Sequence, residues 1–350
     1  MGSEYSHYMR RLLATIGIIA IALSVFLLLW HLAYVLVLLF GGALFAVFLV
    51  GLASPLQAFI PLPKWSLVLL VAAVITGLLT LAGYLAGPAV ADQMVQLSEQ
   101  LSGGLDQLES YLKQQTWGEA LLNWAQEQWQ QAPLSPGKLM GQVTGAFSTI
   151  FGAFADLFVM LFIGFYLAIH PKPYIQGFLF LFPREKRDRL NEVMSSVYHA
   201  LKWWLIGRAT SMAAVGVLTA LGLWLLDMPL IMALALLAGL LSFVPFIGPI
   251  AAAIPAILVG LIDSPSQALY VVLVYFIVQL LESNILTPYV QKQAVSLPPA
   301  VMLSGQMLMG AVFGLQGLAL STPMLVSMIV VVQMLYVCDV LGEKIRPLGQ

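Results

Sequence analysis

Ser242-Phe-Val-Pro-Phe-Ile-Gly-Pro-Ile-Ala-Ala-Ala-Ile-Pro255 lies inside a long apolar region. Pro245, Gly248, Pro249 and Pro255 fall where lipid would require unbroken helix. Proline removes a backbone donor and clashes with the preceding turn. Backbone groups freed in this way are tolerated at membrane depth only against protein or water. This stretch therefore reads as broken helix shielded from lipid. A second interrupted stretch runs from Pro288 to Pro323. Paired interruptions in a membrane chain point to a transport site between them.

The totals place the chain in a membrane. Of 350 residues, 61% are hydrophobic and 9% charged, against about 25% charged in soluble domains. Mean hydropathy is +0.94. The net charge of -1 lacks the basic excess that nucleic acid selects. The single cysteine, Cys338, excludes an internal disulfide and an all-cysteine metal site. Residues 1–11 lead into an apolar run without a small-residue cleavage pattern, which reads as an uncleaved anchor. No catalytic, nucleotide-binding or metal-binding motif stands in a proper setting, so neither enzyme activity nor a cofactor is expected.

Working outward, residues 12–52 are long enough for two helices, 12–30 and 33–52, with a turn at His31. A third span is expected over 65–85. Beyond Gly87-Pro88 the composition turns polar, and apolar residues recur at Val90, Met94, Leu97, Leu101, Leu105, Leu108 and Leu112. Such spacing makes an amphipathic helix, so 88–145 reads as an extramembrane helical insert that caps the spans or pairs with a neighbour. A fourth span covers 146–169 and carries Asp156. Segment 170–203 reads as a basic amphipathic segment at the bilayer surface. Arg10, Arg11, Lys64 and this segment share one side if four spans precede residue 170, which predicts a cytoplasmic amino terminus.

Residues 204–340 form the expected transport core, with broken segments 230–262 and 288–323, followed by a tail, 341–350. Two arrangements remain open. One has eight full spans. The other has two re-entrant hairpins dipping from opposite sides, which the 33-residue length of 230–262 favours. Either way the fold class is an all-α polytopic membrane protein of about eight membrane segments.

Few polar groups reach membrane depth in this core. Glu282 is the strongest candidate, since intramembrane carboxylates commonly serve a pathway. Gln279 and Asn284 flank it. Ser242, Pro245, Gly248, Pro249, Pro288 and Gln306 complete the candidate set for binding a solute or ion. Glu282 and Asp156 are the candidate proton- or ion-coupling acids. A structural acid at a helix end would also explain Glu282. Arg208 is expected to snorkel to the interface. A pair with Glu282 would need packing to join the two.

Phe243-Val-Pro-Phe-Ile-Gly-Pro-Ile250 with Pro255, then Glu282, Asn284 and Pro288, then Leu297-Pro298 and Val301, then Gly310, Gly314, Gly317 and Pro323, form an ordered pattern. On these residues the carboxyl half resembles the AI-2E family of permeases, the autoinducer-2 exporter family. The amino half is similar only in layout. Arg208 stands where many relatives carry an uncharged polar residue, so no family role passes to it. The resemblance implies a multi-pass transporter of the bacterial inner membrane. It implies export of a small polar signal such as autoinducer-2, or monovalent cation (sodium)/proton exchange. It also implies a homo-oligomer, a pentamer among the options. A non-transporting scaffold built on the helical insert is the remaining reading. Expected partners are membrane lipids and the transported solute or cation.

Overall fold

The computed structural model describes residues 24, 27, 32–114, 155–286 and 298–343. Most of the expected first span, His31, the insert beyond residue 114, the start of the expected fourth span, Pro288 and the end of the tail lie outside the described residues. The described residues are helical throughout, joined by short turns. Five helices are long and apolar enough to cross a membrane, or six if one bent pair counts as a span. The expected eight segments are therefore not reached among the described residues.

Helix α1 (Leu32–Leu56) and helix α3 (Ala155–Ile169) run side by side in the same direction. Glycines permit this approach. A Cβ on Gly41 or Gly42 would meet Met160 or Ile163, and one on Gly164 would meet the Gly42 carbonyl. Small residues of this kind let membrane helices pack closely. α3 turns by 91° into α4 (Pro171–Phe180), a short helix with no buried residue.

Helix α2 (Lys64–Lys113) is 50 residues long, or about 75 Å. It runs without interruption through Gly87 and Pro88, where the polar shift had suggested a boundary. Proline there costs the Tyr84 carbonyl its helical donor, and Tyr84 is largely exposed. The helix is held at both ends instead. Leu67, Val68 and Val71 pack with Leu49, Ala53 and Ala168 of α1 and α3. Further on, Leu97 is buried among Leu223, Leu234, Ala256 and Val259 of the core. Its described polar half thus caps the core.

Helix α5 (Arg184–Leu225) is likewise continuous over 42 residues. The basic amphipathic stretch and the expected fifth span are one rod. Two helices run antiparallel to it. Helix α8 (Pro265–Leu281) begins beside the end of α5, where Gln267 Nε2 donates to the Leu226 carbonyl at 2.7 Å. Val274 then covers Gly222. Helix α6 (Ile231–Leu241) descends along the same rod, with Gly239 against Met212 and Gly216.

The stretch 242–246 breaks the chain as its prolines demand, and helix α7 (Ile247–Asp263) returns. Phe246 at the turn has φ 64°, a costly conformation for a bulky side chain. A Cβ on Gly248 would collide with the Leu241 carbonyl. The backbone of the turn satisfies itself. The Val244 N–H donates to Leu241, Gly248 to Val244, and Ser242 Oγ to Gly239. α7 returns to where α6 began, with Ala256 and Val259 packed beside Leu230 and Leu234. The two short helices form a helical hairpin.

The final helix, α9 (Pro299–Val332), folds on itself at Gly314, with φ 62° and ψ -141°. Only glycine adopts that region readily. Gly305 then lies against Leu325, Gly310 against Leu318, and Gly317 against the Met309 carbonyl. By length alone α9 passes for a crossing helix. Its folded arms make it the second hairpin.

The two hairpins enter from opposite ends. Lys202 of α5 bonds Ser54 near the end of α1, so the starts of α1 and α3 lie at the other end. Arg189, near the start of α5, binds Asp339 just beyond α9. Gln316, at the tip of the second hairpin, donates to Asp156, which also accepts from Tyr34 at the start of α1. The second hairpin therefore rises from the basic end towards the start of α1. The first descends from the far end of α5. Helix-then-hairpin occurs twice, once in each sense: α5 with α6–α7, and α8 with α9.

Candidate functional site

The first hairpin's tip meets the two buried charges found among the described residues. Arg208 on α5 and Glu282 at the end of α8 are 8% and 4% exposed. Antiparallel packing of α5 on α8 brings them together, because the Leu226–Gln267 pair at one end fixes the register at the other. Arg208 Nη1 donates to Glu282 Oε1 at 3.2 Å. Ser211 Oγ donates to the same oxygen at 2.6 Å. Gln279 Nε2 donates to Oε2 at 3.3 Å. Arg208 Nε donates to the Phe243 carbonyl at 3.0 Å. The guanidinium thus links the hairpin tip to the carboxylate.

Local geometry explains each contribution. Arg208 and Ser211 are three apart on α5 and share a face. Glu282 opens a π-helical turn, Glu282–Leu286, that continues α8. Such turns are frequent at functional sites. Phe243 lies in the break, where its carbonyl is free of a helical partner. Its ring packs edge-on against Trp204, with centroids 5.8 Å apart. A buried ion pair with three extra hydrogen bonds satisfies most of the polar atoms that burial would penalise. One is left over. Arg208 Nη2 is buried and has no partner.

Arg208 therefore does not snorkel. It is held inside by the Glu282 carboxylate and the Phe243 carbonyl. The sequence did hold a signal for the pair. From 209 to 291 there is no Lys or Arg, and the other two acids are Asp227 in a turn and Asp263 at a helix end. Arg208 and Glu282 are the opposite charges left at depth. Ser211 and the Phe243 carbonyl could not have been chosen without the packing.

The remaining candidates separate. Gln279 joins the Glu282 cluster. Ser242 is fully buried but bonds within the turn. Pro245, Gly248 and Pro249 shape the break itself. Asn284 is exposed and donates to the Leu280 carbonyl of its own helix at 3.0 Å, turned from the cluster. Asp156 is in another place, pinning the second hairpin's tip to α1 and α3. Gln306 is completely buried on the second hairpin, with both amide atoms unpartnered. Thr322, on the facing arm, has a buried unpartnered hydroxyl too.

The hairpins meet through apolar side chains. Phe243 of the first, with Met309 and Phe313 of the second, packs on one cluster with Trp204, Leu320 and Val326. A cavity of about 370 Å³ lies elsewhere, among α1, the start of α2, the end of α3 and α5.

Comparison with known proteins agrees with this architecture. The family model described as AI-2E family transporter matches residues 16–336. The Bacillus subtilis (strain 168) protein named "Putative transport protein YueF" is 23% identical over 277 residues, covering 75% of this chain and 74% of its own. A second protein of that organism, "Putative transport protein YrrI", is 28% identical over 144 residues. That match covers 41% of each chain, so this chain spans less than half the length of that relative. With nearly its whole length matched, and the broken helices in place, the chain belongs to the AI-2E family of membrane transporters.

Proposed function

We propose that this protein is a secondary transporter that exports a small, polar, hydroxylated signal such as autoinducer-2 across the bacterial inner membrane. The observation that carries this reading is the Arg208–Glu282–Ser211 cluster closed by the Phe243 carbonyl at a hairpin tip. These groups supply both donors and acceptors within one small space, which suits a solute rich in hydroxyls. Inverted hairpins favour alternating access, because each opens towards one side. The unpartnered Arg208 Nη2, Gln306 amide and Thr322 hydroxyl would find partners once a hairpin moves and admits solute or water. Basic residues near the start of α5 and Lys64 favour a cytoplasmic position for that end, and hence for the amino terminus.

Monovalent cation/proton exchange is the weaker reading. Glu282 already faces an arginine, which repels a cation from the same oxygens. Assembly as a homo-oligomer is supported by the middle of α2. There Leu78, Leu79, Leu81 and Leu85 are exposed, and Gly77, Gly83 and Gly87 have nothing within 4 Å of a built Cβ.

Vesicles reconstituted with the pure protein test the reading. Efflux of loaded autoinducer-2 that is lost in Glu282→Gln, without sodium-driven proton movement, supports export. Sodium-dependent proton flux with no signal efflux would replace it by exchange. Absence of both would favour a scaffold.

A further inference from the structure

The cavity at the basic end of the molecule belongs to no part of the proposed transport site. It holds about 370 Å³ between the end of α1, the start of α2, the end of α3 and α5. Its polar wall carries Lys64, Lys202 and His199, and its floor is Leu67 and Val68, which are 0% and 2% exposed. No Asp or Glu lines it. Lys202 Nζ donates to Ser54 Oγ at 3.0 Å, a neutral partner. No ion pair is formed by Lys64 or Lys202 among the described residues. Two lysines lining one apolar-floored space without a carboxylate beside them make a receptor for an anion with an apolar body.

The helix ends add to this only in part. α2 begins here with no side-chain cap and no acid in its first turn, which favours an anion. α1 and α3 finish here, and their carbonyl ends oppose that effect. The lysines therefore set the sign of the field. In the turn from α1 to α2, beside the lining residues Gln57 and Lys64, Phe59, Leu62 and Trp65 are exposed. An aromatic and aliphatic rim of this type marks the headgroup level of a bilayer.

We propose that this cavity binds the phosphate-bearing headgroup of an anionic phospholipid, with Lys64 and Lys202 on the phosphate and the acyl chains leaving past the apolar floor. Lipid is favoured over a soluble anion because the floor and rim are apolar and the helices that form them are membrane helices. Basic pockets between membrane helices recognise lipid headgroups in this way.

Native mass spectrometry of the full chain in detergent tests it, with phosphatidylglycerol, phosphatidylcholine and inorganic phosphate as separate probes. Wild-type protein should retain phosphatidylglycerol about thirtyfold better than phosphatidylcholine, as expected for two lysines near a headgroup. The double variant Lys64→Gln/Lys202→Gln should bring the two lipids to parity, while Lys64→Arg/Lys202→Arg keeps the preference. Lys172→Gln/Lys186→Gln removes the same charge at the same end and should also keep it. Parity in the wild type, or undiminished preference in the first double variant, overturns the proposal. Displacement of phosphatidylglycerol by inorganic phosphate at equal concentration would assign the cavity to a soluble anion and overturn the lipid.

Discussion

Arg208 and Glu282 are 74 positions apart in the chain and 3.2 Å apart in the fold. Each is the other's counter-charge, and among the described residues no second cation is buried. Removing one partner of a buried pair strands the other and costs about 3–5 kcal/mol, whereas replacing both by apolar groups is often neutral. Glu282→Gln should therefore lower the melting temperature of the purified protein, while Arg208→Met/Glu282→Leu should restore it. Transport should be absent from both. Efflux surviving in the double variant would show that the pair only holds the core.

The hairpin turns differ in how they achieve their reversal, and substitution separates them. Gly314 has no neighbour within reach of a built Cβ, so its constraint is conformational. Gly314→Ala should cost about 1–3 kcal/mol of strain. Gly248 is constrained by space, because any Cβ meets the Leu241 carbonyl. Gly248→Ala must push the arms of the first hairpin apart and move Phe243 off Arg208. Its effect on efflux should exceed that of Gly314→Ala at equal loss of melting temperature. Equal effects would mean that the first tip has no special link to transport.

Much of this was legible beforehand, for physical reasons. Proline and glycine inside apolar sequence announce broken helices, and the chain does break at 242–246 and kink at Gly314. A carboxylate at depth announces itself by cost, which picked out Glu282. Helix boundaries were less legible. Pro88 sits on an exposed turn of α2 where a lost hydrogen bond is tolerated, so the change in polarity did not end the helix. The switch from basic to apolar near residue 204 left α5 unbroken because no proline or glycine pair interrupts it. Arg208 was misplaced because a lone arginine near the expected start of a span has two fates. Only the α5–α8 register decides between water and Glu282.

Asp156 is a tether. It accepts from Gln316 at the tip of the second hairpin and from Tyr34 of α1. If that hairpin moves during transport, loosening the tether should alter rate more than stability. Asp156→Ala is expected to change the melting temperature by the equivalent of about 1–3 kcal/mol, as for an unmade charged hydrogen bond. Its efflux rate should shift several-fold, and Gln316→Ala should reproduce the shift. A proton-coupling acid would behave differently. Asp156→Asn would then abolish coupling, and Gln316→Ala would not.

The polar half of α2 acts as a brace on the first hairpin, because three contacts lie along one face. The Ala233 N–H at the start of α6 donates to Gln93 Oε1 at 3.0 Å, which satisfies a helix-end donor. Leu97 is 4% exposed within the core cluster. Gly104 lies so close to the Leu258 carbonyl that a Cβ would overlap it. Leu97→Ala should cost about 2–5 kcal/mol by opening a cavity. Gly104→Leu should do more, since it lifts α2 from α7 along its whole contact. Hydrogen exchange offers the check. With α2 lifted, amides at the start of α6 should exchange faster, Ala233 first, while those of the α1–α3 pair stay protected. Unchanged exchange in α6 would show that α2 rests on the hairpin without bracing it.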